Sequence, residues 1–232
     1  MPTAIITGAS RGLGLALSRA LAERGWNLVL DARGAAALQQ VAEELSSTTQ
    51  VVAVTGDVAD ERHRGELIEA ARALGGPDLL VNNASLLGPS PQPRLAEYPL
   101  DAFKAVYEVN VTAPLALIQQ ALPLLAQSPQ GRVLNVTSDA GVEGYEGWGG
   151  YGSSKAALEQ LSKVLAAEHP ELKVWWVDPG DMNTKMHQEA YPDEDISDRP
   201  PPEESVPGIL KLIYDDAPSG RYQARPSSET EQ

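Results

Sequence analysis

The chain reads as an α/β protein built on a parallel sheet, and three observations lead to that class. Short apolar runs of strand length alternate with longer stretches of helical periodicity through most of the sequence. The first such run, Ala4-Ile5-Ile6, opens at once into a glycine-rich turn, Thr7-Gly8-Ala9-Ser10-Arg11-Gly12-Leu13-Gly14, and then a helical pattern. At 232 residues, with 42% hydrophobic and 22% charged residues, the chain is long enough for one large α/β domain with a substantial core.

The strand–turn–helix opening presents backbone N–H groups and a positive helix end to a phosphate. Its spacing is G-x-x-x-G-x-G, which departs from the G-x-G-x-x-G dinucleotide fingerprint. Leu13, Leu17, Ala20 and Leu21 then mark a helix that stops at Gly25. Asn27–Asp31 is the second strand, Ala35–Leu45 a helix, and Val51–Thr55 the third strand, followed by Gly56-Asp57-Val58. A helix over about Asp60–Leu74 ends at Gly75-Gly76-Pro77, and Asp78–Val81 is a fourth strand running into Asn82-Asn83-Ala84-Ser85.

Four prolines between Leu87 and Pro99 predict a surface loop. A helix follows over Leu100–Ala126 with Pro114 inside it; proline has no N–H for the carbonyl four residues back, so the Asn110 oxygen is expected to be free. Arg132–Thr137 is the fifth strand and delivers Ser138 at its end. A glycine-rich connection over 141–150 leads to a helix reaching about Glu168, and Leu172–Val177 is the sixth strand, ending at Asp178-Pro179-Gly180. Residues 181–207 carry five prolines and many acids, too long for a plain connector, and are expected to form a substrate lid. Glu203–Tyr214 reads as helix, Arg221–Gln223 as a last strand and 226–232 as a frayed tail, with 1–225 as one domain.

Bulk charge and composition narrow the function. A formal net charge of −14 repels nucleic acid and anionic membrane alike. No cysteine means no disulfide framework and no thiolate site, and His63, His169 and His187 lack metal-ligand spacing, so no metal is expected. No signal peptide and no apolar run of about 18–20 residues is visible, so a cytoplasmic protein is expected.

The chemistry centres on Tyr151-Gly-Ser-Ser-Lys155. Residues four apart on a helix share a face, and a phenol with pKa near 10 works at neutral pH only if something positive stabilises its anion. Lys155 is placed to do so. With this pair, the sequence resembles the short-chain dehydrogenase/reductases in their short single-domain branch, through Thr7-Gly8-x-x-x-Gly12-x-Gly14, Asp57-Val58, Asn82-Asn83-Ala84, Asn110, Ser138, Tyr151-x-x-x-Lys155 and Pro179-Gly180 with Thr184, in that order. Ser85 stands where the family usually has glycine.

The resemblance implies a doubly wound, Rossmann-like parallel sheet of about seven strands with helices on both faces, and ligand sites at the strands' carboxyl ends. It implies an NAD(P)-dependent oxidoreductase in which Tyr151 is the acid–base group, Ser138 holds the substrate oxygen, Lys155 activates the tyrosine and binds ribose, and Asn110 is a relay whose free carbonyl holds a water. It implies cofactor contacts from Gly8, Ser10, Arg11, Gly12, Leu13, Gly14, Asp57, Val58, Asn83, Ala84, Tyr151, Lys155, Pro179, Gly180 and Thr184, with Asn82 supporting the central strand and ribose. Against the family's strand end, Ala32 falls at the cofactor-discriminating position and Asp31 one before it, on the other face. Arg33 and Arg11 then suit a 2′-phosphate, so NADP(H) is favoured over NAD(H). Leu86, Leu87, Tyr145, Trp148, Met182, Met186 and Tyr191 are candidates for an apolar pocket for a small-molecule carbonyl or alcohol. Family members commonly form homodimers or homotetramers through helices like 100–126 and 150–168. Two other readings stand beside the reductase: a dinucleotide-sensing module that binds a partner protein, and a nucleotide-sugar epimerase or dehydratase, for which the stretch after Pro179 is short.

Overall fold

The computed structural model describes residues 1–225; the segment expected to be a frayed tail lies outside the described residues. Seven strands, β1 (Thr3–Ile6), β2 (Asn27–Ala32), β3 (Val51–Thr55), β4 (Leu79–Asn82), β5 (Arg132–Val136), β6 (Lys173–Asp178) and β7 (Gly220–Gln223), form one sheet in the order β3-β2-β1-β4-β5-β6-β7. Every neighbouring pair is parallel. The chain runs outward from β1 to β3, returns to the middle at β4 and then runs outward the other way. That reversal leaves a crevice between the ends of β1 and β4, where a doubly wound sheet receives its ligand.

The strands expected from apolar runs are all present, with ends shifted by a residue or two. β1, β2, β4 and β5 are buried at every position, and β6 from Val174 onward, because helices cover both faces of a parallel sheet. Side chains of period two divide between them. Ile6, Leu30, Val81 and Leu134 pack on α1 (Gly12–Ala22), α2 (Ala35–Leu45) and α8 (Val206–Tyr214). Ile5, Val29, Leu80 and Val133 face Leu67 and Ile68 of α3 (Glu61–Ala73) and Leu117 and Ile118 of α5 (Ala113–Leu125).

The single helix expected over 100–126 is two. α4 (Leu100–Tyr107) ends in a wide π turn over Glu108–Thr112, in which the Ala113 N–H reaches back to the Glu108 oxygen, and α5 follows. Pro114, at the start of α5, has no N–H to hold the ordinary ladder through this turn. Asn110 sits inside the π turn and is 1% exposed. The remaining elements are α6 (Gly149–Glu168), which carries Tyr151 and Lys155, and α7 (Lys185–Ala190), within the expected lid. No described helix is long and apolar enough to cross a membrane.

Candidate active site

The glycine turn lies at the end of β1 beside β4. Gly8 has φ +66°, and a β-carbon there would lie 3.0 Å from the Ala84 Cα. Gly14 has no room for one at all, because it would sit 2.4 Å from the Gly8 oxygen. Asn83 braces the turn from outside: its amide donates to the Thr7 oxygen at 2.8 Å and to the Gly8 oxygen at 3.2 Å. The Thr7 hydroxyl in turn accepts from the N–H groups of Asn83 and Ala84 at 2.9 and 3.0 Å. Arg11 precedes α1 and is exposed, and no side chain caps the helix. The N–H groups of the first turn, at Gly12, Leu13 and Gly14, therefore open on a cradle that suits a pyrophosphate. Thr184 lies over it, its methyl 3.6 Å from where a Gly12 β-carbon would be.

Around this cradle the other cofactor candidates take their places. Asp57 accepts from the Ala59 N–H at 2.9 Å, and Val58 is buried, its carbonyl accepting from Arg64 at 2.6 Å. Gly180 donates to Asp178 at 2.9 Å, the Pro179 oxygen accepts from Ser205 at 2.8 Å, and Thr184 caps α7 by accepting from the His187 N–H at 3.2 Å. Arg33 is exposed just beyond β2. Asp31 is 2% exposed and turned to the α3 face, where its oxygens meet His63 Nε2 at 2.6 Å and the Gly8 N–H at 3.3 Å.

Three strand ends and α6 assemble the reacting groups. Asn82 donates to Asn135 at 2.8 Å, and Asn135 donates to Ser162 of α6 at 2.8 Å. This buried ladder ties β4 through β5 to the helix that carries the tyrosine, and it spends the Asn82 amide on the strand support expected of it. Asn110 is the second tie. Its oxygen accepts from the Leu86 N–H at 2.8 Å and the Ser85 hydroxyl at 3.1 Å, while its amide donates to the Leu86 oxygen and the Ser154 hydroxyl, both at 2.9 Å. Ser154 donates to the Tyr151 carbonyl at 2.6 Å. One buried amide thus joins the 85–86 segment to α6.

Tyr151 is 8% and Lys155 2% exposed, and the ammonium lies 5.3 Å from the centre of the phenol ring while donating to the Val136 oxygen at 2.8 Å. Burial drives the Tyr151 phenol well above its ordinary pKa; the hydroxyls of Ser85 and Ser138 beside it pull the other way, and Asp178 and Asp139 push it further up. In the chain alone burial sets the direction for both groups, and Lys155 is itself lowered by desolvation to about 8.

That shift has a consequence for stability. The unfolded chain keeps the ammonium up to its ordinary 10.5, whereas the folded chain releases the proton near 8. Between those values the unfolded state binds more protons, so stability rises with pH across the window. Lys155→Met removes the buried charge but leaves the Val136 oxygen without its 2.8 Å donor, at a cost of about 1–3 kcal/mol, so its net gain over wild type at pH 7 should be no more than on the order of 2 kcal/mol. The gain should shrink as pH passes 8 towards 10. Urea denaturation of both proteins at pH 7 and 9.5 measures it; a pH-independent difference contradicts the assignment.

Several residues at the site gave no sign in the sequence. Ser138 donates to Asp139 at 2.8 Å, and Asp139 also accepts from the Tyr145 hydroxyl at 3.0 Å, raising that phenol to about 12. Arg221 of β7 reaches Glu159 at 3.0 Å and the Ser138 carbonyl at 3.3 Å, fastening the end of β5 from below. Of these, Asp139 alone adjoins a residue that the sequence singles out, Ser138. Of the pocket candidates, Trp148 and Met186 pack with Leu87 and Tyr151, and Trp148 meets the rings of Tyr151 at 5.7 Å and Tyr191 at 6.0 Å. Met182 instead packs on the core under α1, and Tyr145 is 46% exposed.

A doubly wound sheet with a glycine cradle for a dinucleotide and a tyrosine–lysine pair beside it defines an NAD(P)-dependent oxidoreductase. Residues 2–195 match the family model for short chain dehydrogenase. A Pseudomonas aeruginosa 3-oxoacyl-[acyl-carrier-protein] reductase of rhamnolipid biosynthesis is 38% identical over 71% of this chain and 66% of its own length, just under two thirds. Rat sepiapterin reductase is 35% identical over 80% of this chain and 76% of its own. A short chain dehydrogenase of Escherichia coli CFT073 complexed with NADPH superimposes with a TM-score of 0.87 at 30% identity, over 97% of each chain. The chain belongs to the short-chain dehydrogenase family.

Proposed function

We propose that the protein is an NADPH-dependent carbonyl reductase, running as an alcohol dehydrogenase in reverse, on small or medium hydrophobic substrates. The observation that carries this reading is the burial of Tyr151 and Lys155 one turn apart on α6, the ammonium 5.3 Å from the centre of the phenol ring, with the Ser138 and Ser85 hydroxyls beside the phenol. When bound, the dinucleotide supplies or accepts the hydride. The chain's own residues do the rest. Negative charge grows on the substrate oxygen as reduction proceeds, and Tyr151, protonated at neutral pH in this surrounding, gives it a proton. Ser138 turns its O–H from Asp139 to the same oxygen and holds it in place. Lys155 holds positive charge near the phenolate left behind and binds ribose. Asn110 fixes the 85–86 segment against α6, and its backbone oxygen is the proposed seat of a water leading from Lys155 to solvent. Residues 181–207, with α7 and Tyr191 against Trp148, form the lid, within a single domain over 1–225. The test is NADPH oxidation across a panel of aromatic and aliphatic carbonyls by wild type and Tyr151→Phe.

NADP(H) is preferred over NAD(H) in this reading. A carboxylate free to accept from the ribose 2′-OH would favour NAD. Asp31 is not free, since His63 and the Gly8 N–H occupy it on the α3 face. Exposed Arg33 and Arg11 remain to receive a 2′-phosphate, and the neighbour complexed with NADPH is consistent with that. Arg33→Ala should raise KM for NADPH about 10- to 100-fold, the loss of one charged hydrogen-bonding partner, and leave KM for NADH within about threefold. Equal effects on both cofactors would remove Arg33 from the phosphate site.

The same reading places the enzyme in the cytoplasm as a homodimer or homotetramer. Leu115 and Val164, exposed on α5 and α6, are candidate contacts; a single-subunit mass by light scattering excludes the oligomer.

A further inference from the structure

Ser85 is the one residue of the Asn82–Ser85 strand end that departs from the family's usual glycine, and its hydroxyl lies where glycine has nothing. Oγ is 3.1 Å from the Asn110 oxygen and sits beside the Tyr151 phenol. The backbone on either side is clamped. Ala84 is held by the Thr7 hydroxyl at 3.0 Å, and Leu86 by two hydrogen bonds to Asn110. Leu87, next along, packs against Tyr151 itself. With the flanking backbone fixed, the freedom left at this position is the rotation of the hydroxyl.

We propose that Ser85 is a positioning residue for the reaction: its O–H swings from Asn110 to the Tyr151 oxygen when the tyrosine gives up its proton, and swings back when the proton returns. The inference rests on the reading of Tyr151 as proton donor. Before transfer, the phenol can donate to Ser85 Oγ while Ser85 donates to the Asn110 oxygen. On transfer the phenol proton goes to the substrate oxygen, and Ser85 keeps its own proton and redirects it. Asn110 is not left unpaired, because its oxygen retains the Leu86 N–H at 2.8 Å. A hydroxyl bonded to an anion holds more strongly than one bonded to a neutral phenol, so the net effect favours the phenolate. This matters more here than in a solvated site, since burial works so strongly against the anion. Ser138 serves the substrate oxygen, and Ser85 serves the tyrosine.

The experiment is a carbon-13 titration of protein labelled at the tyrosine Cζ and saturated with NADP+, with the Tyr151 resonance identified by its absence in Tyr151→Phe. In Ser85→Gly and Ser85→Ala the Tyr151 midpoint should rise by about half to one pH unit over wild type. Ser85→Thr, which keeps the hydroxyl, should restore the wild-type midpoint. Coincident midpoints in wild type and Ser85→Gly overturn the proposal, as does a Tyr151 that stays protonated to pH 10.5 in the wild-type complex. Turnover separates the two layers. If Tyr151→Phe stays active while the midpoints differ, the proton-donor role falls and the Ser85 contact stands. If Tyr151→Phe is inactive and the midpoints coincide, only Ser85 falls.

Discussion

Tyr151→Phe should lose between about 10²- and 10⁴-fold in kcat on any carbonyl the wild type reduces, with the Kd for NADPH kept within about threefold. The substitution removes one oxygen and keeps the ring, so the edge contact with Trp148 and the packing against Leu87 persist. Loss of a buried phenol that desolvation disfavours ionising costs the fold little. The decline must therefore be in chemistry, and the split between unchanged cofactor binding and collapsed turnover is its signature. Fluorescence titration with NADPH and initial rates on the carbonyl panel give both numbers. A mutant with a tenth or more of wild-type kcat removes Tyr151 from proton transfer. Equal inactivity of both proteins across the panel favours the dinucleotide-sensing alternative.

Asn110→Leu carries the largest expected effect on stability. The side chain is 1% exposed and makes four hydrogen bonds, to the Leu86 N–H, the Leu86 oxygen, Ser85 and Ser154. Leucine fills a similar volume and leaves those partners facing an apolar group. Each stranded backbone group costs about 1–3 kcal/mol, while Ser154 keeps its bond to the Tyr151 oxygen and the Ser85 hydroxyl has the neighbouring Tyr151 phenol to turn to. The sum is on the order of 3–5 kcal/mol, a fall in Tm of roughly 10 °C for a domain of this size. Because the same amide links the 85–86 segment to α6 behind Tyr151, kcat should also fall more than tenfold at temperatures where the variant is folded. Thermal denaturation followed by circular dichroism, with rates at 20 °C, tests both. A variant as stable as wild type would mean that the π turn is held by its backbone alone.

Much of this site is legible before folding because its parts are local. A glycine that must touch backbone, a tyrosine and lysine one turn apart, and a strand end with its turn are all written within a few residues. The sheet is legible for a related reason: strands buried on both faces must be apolar throughout, and such runs stand out between helices of period 3.6. Even the one-residue distinction between Asp31 and Ala32 follows from the period of two, and the carboxylate does turn to α3.

The class of fold, the order of its elements and the residue types that meet at the strand ends are all set by short stretches of chain. The partners at long separation were settled only in three dimensions: His63 on Asp31, Arg221 under Ser138, Asn110 on Leu86 and Ser154. No local spacing encodes those pairs, because the sheet order brings together segments that the chain keeps 24 to 83 residues apart. The protonation of the site belongs to the same category. A tyrosine and a lysine on one helix face suggest mutual stabilisation when read as neighbours, yet the depth at which α6 is packed sets the sign. Desolvation grows with everything that covers the pair, and it raises the phenol and lowers the amine.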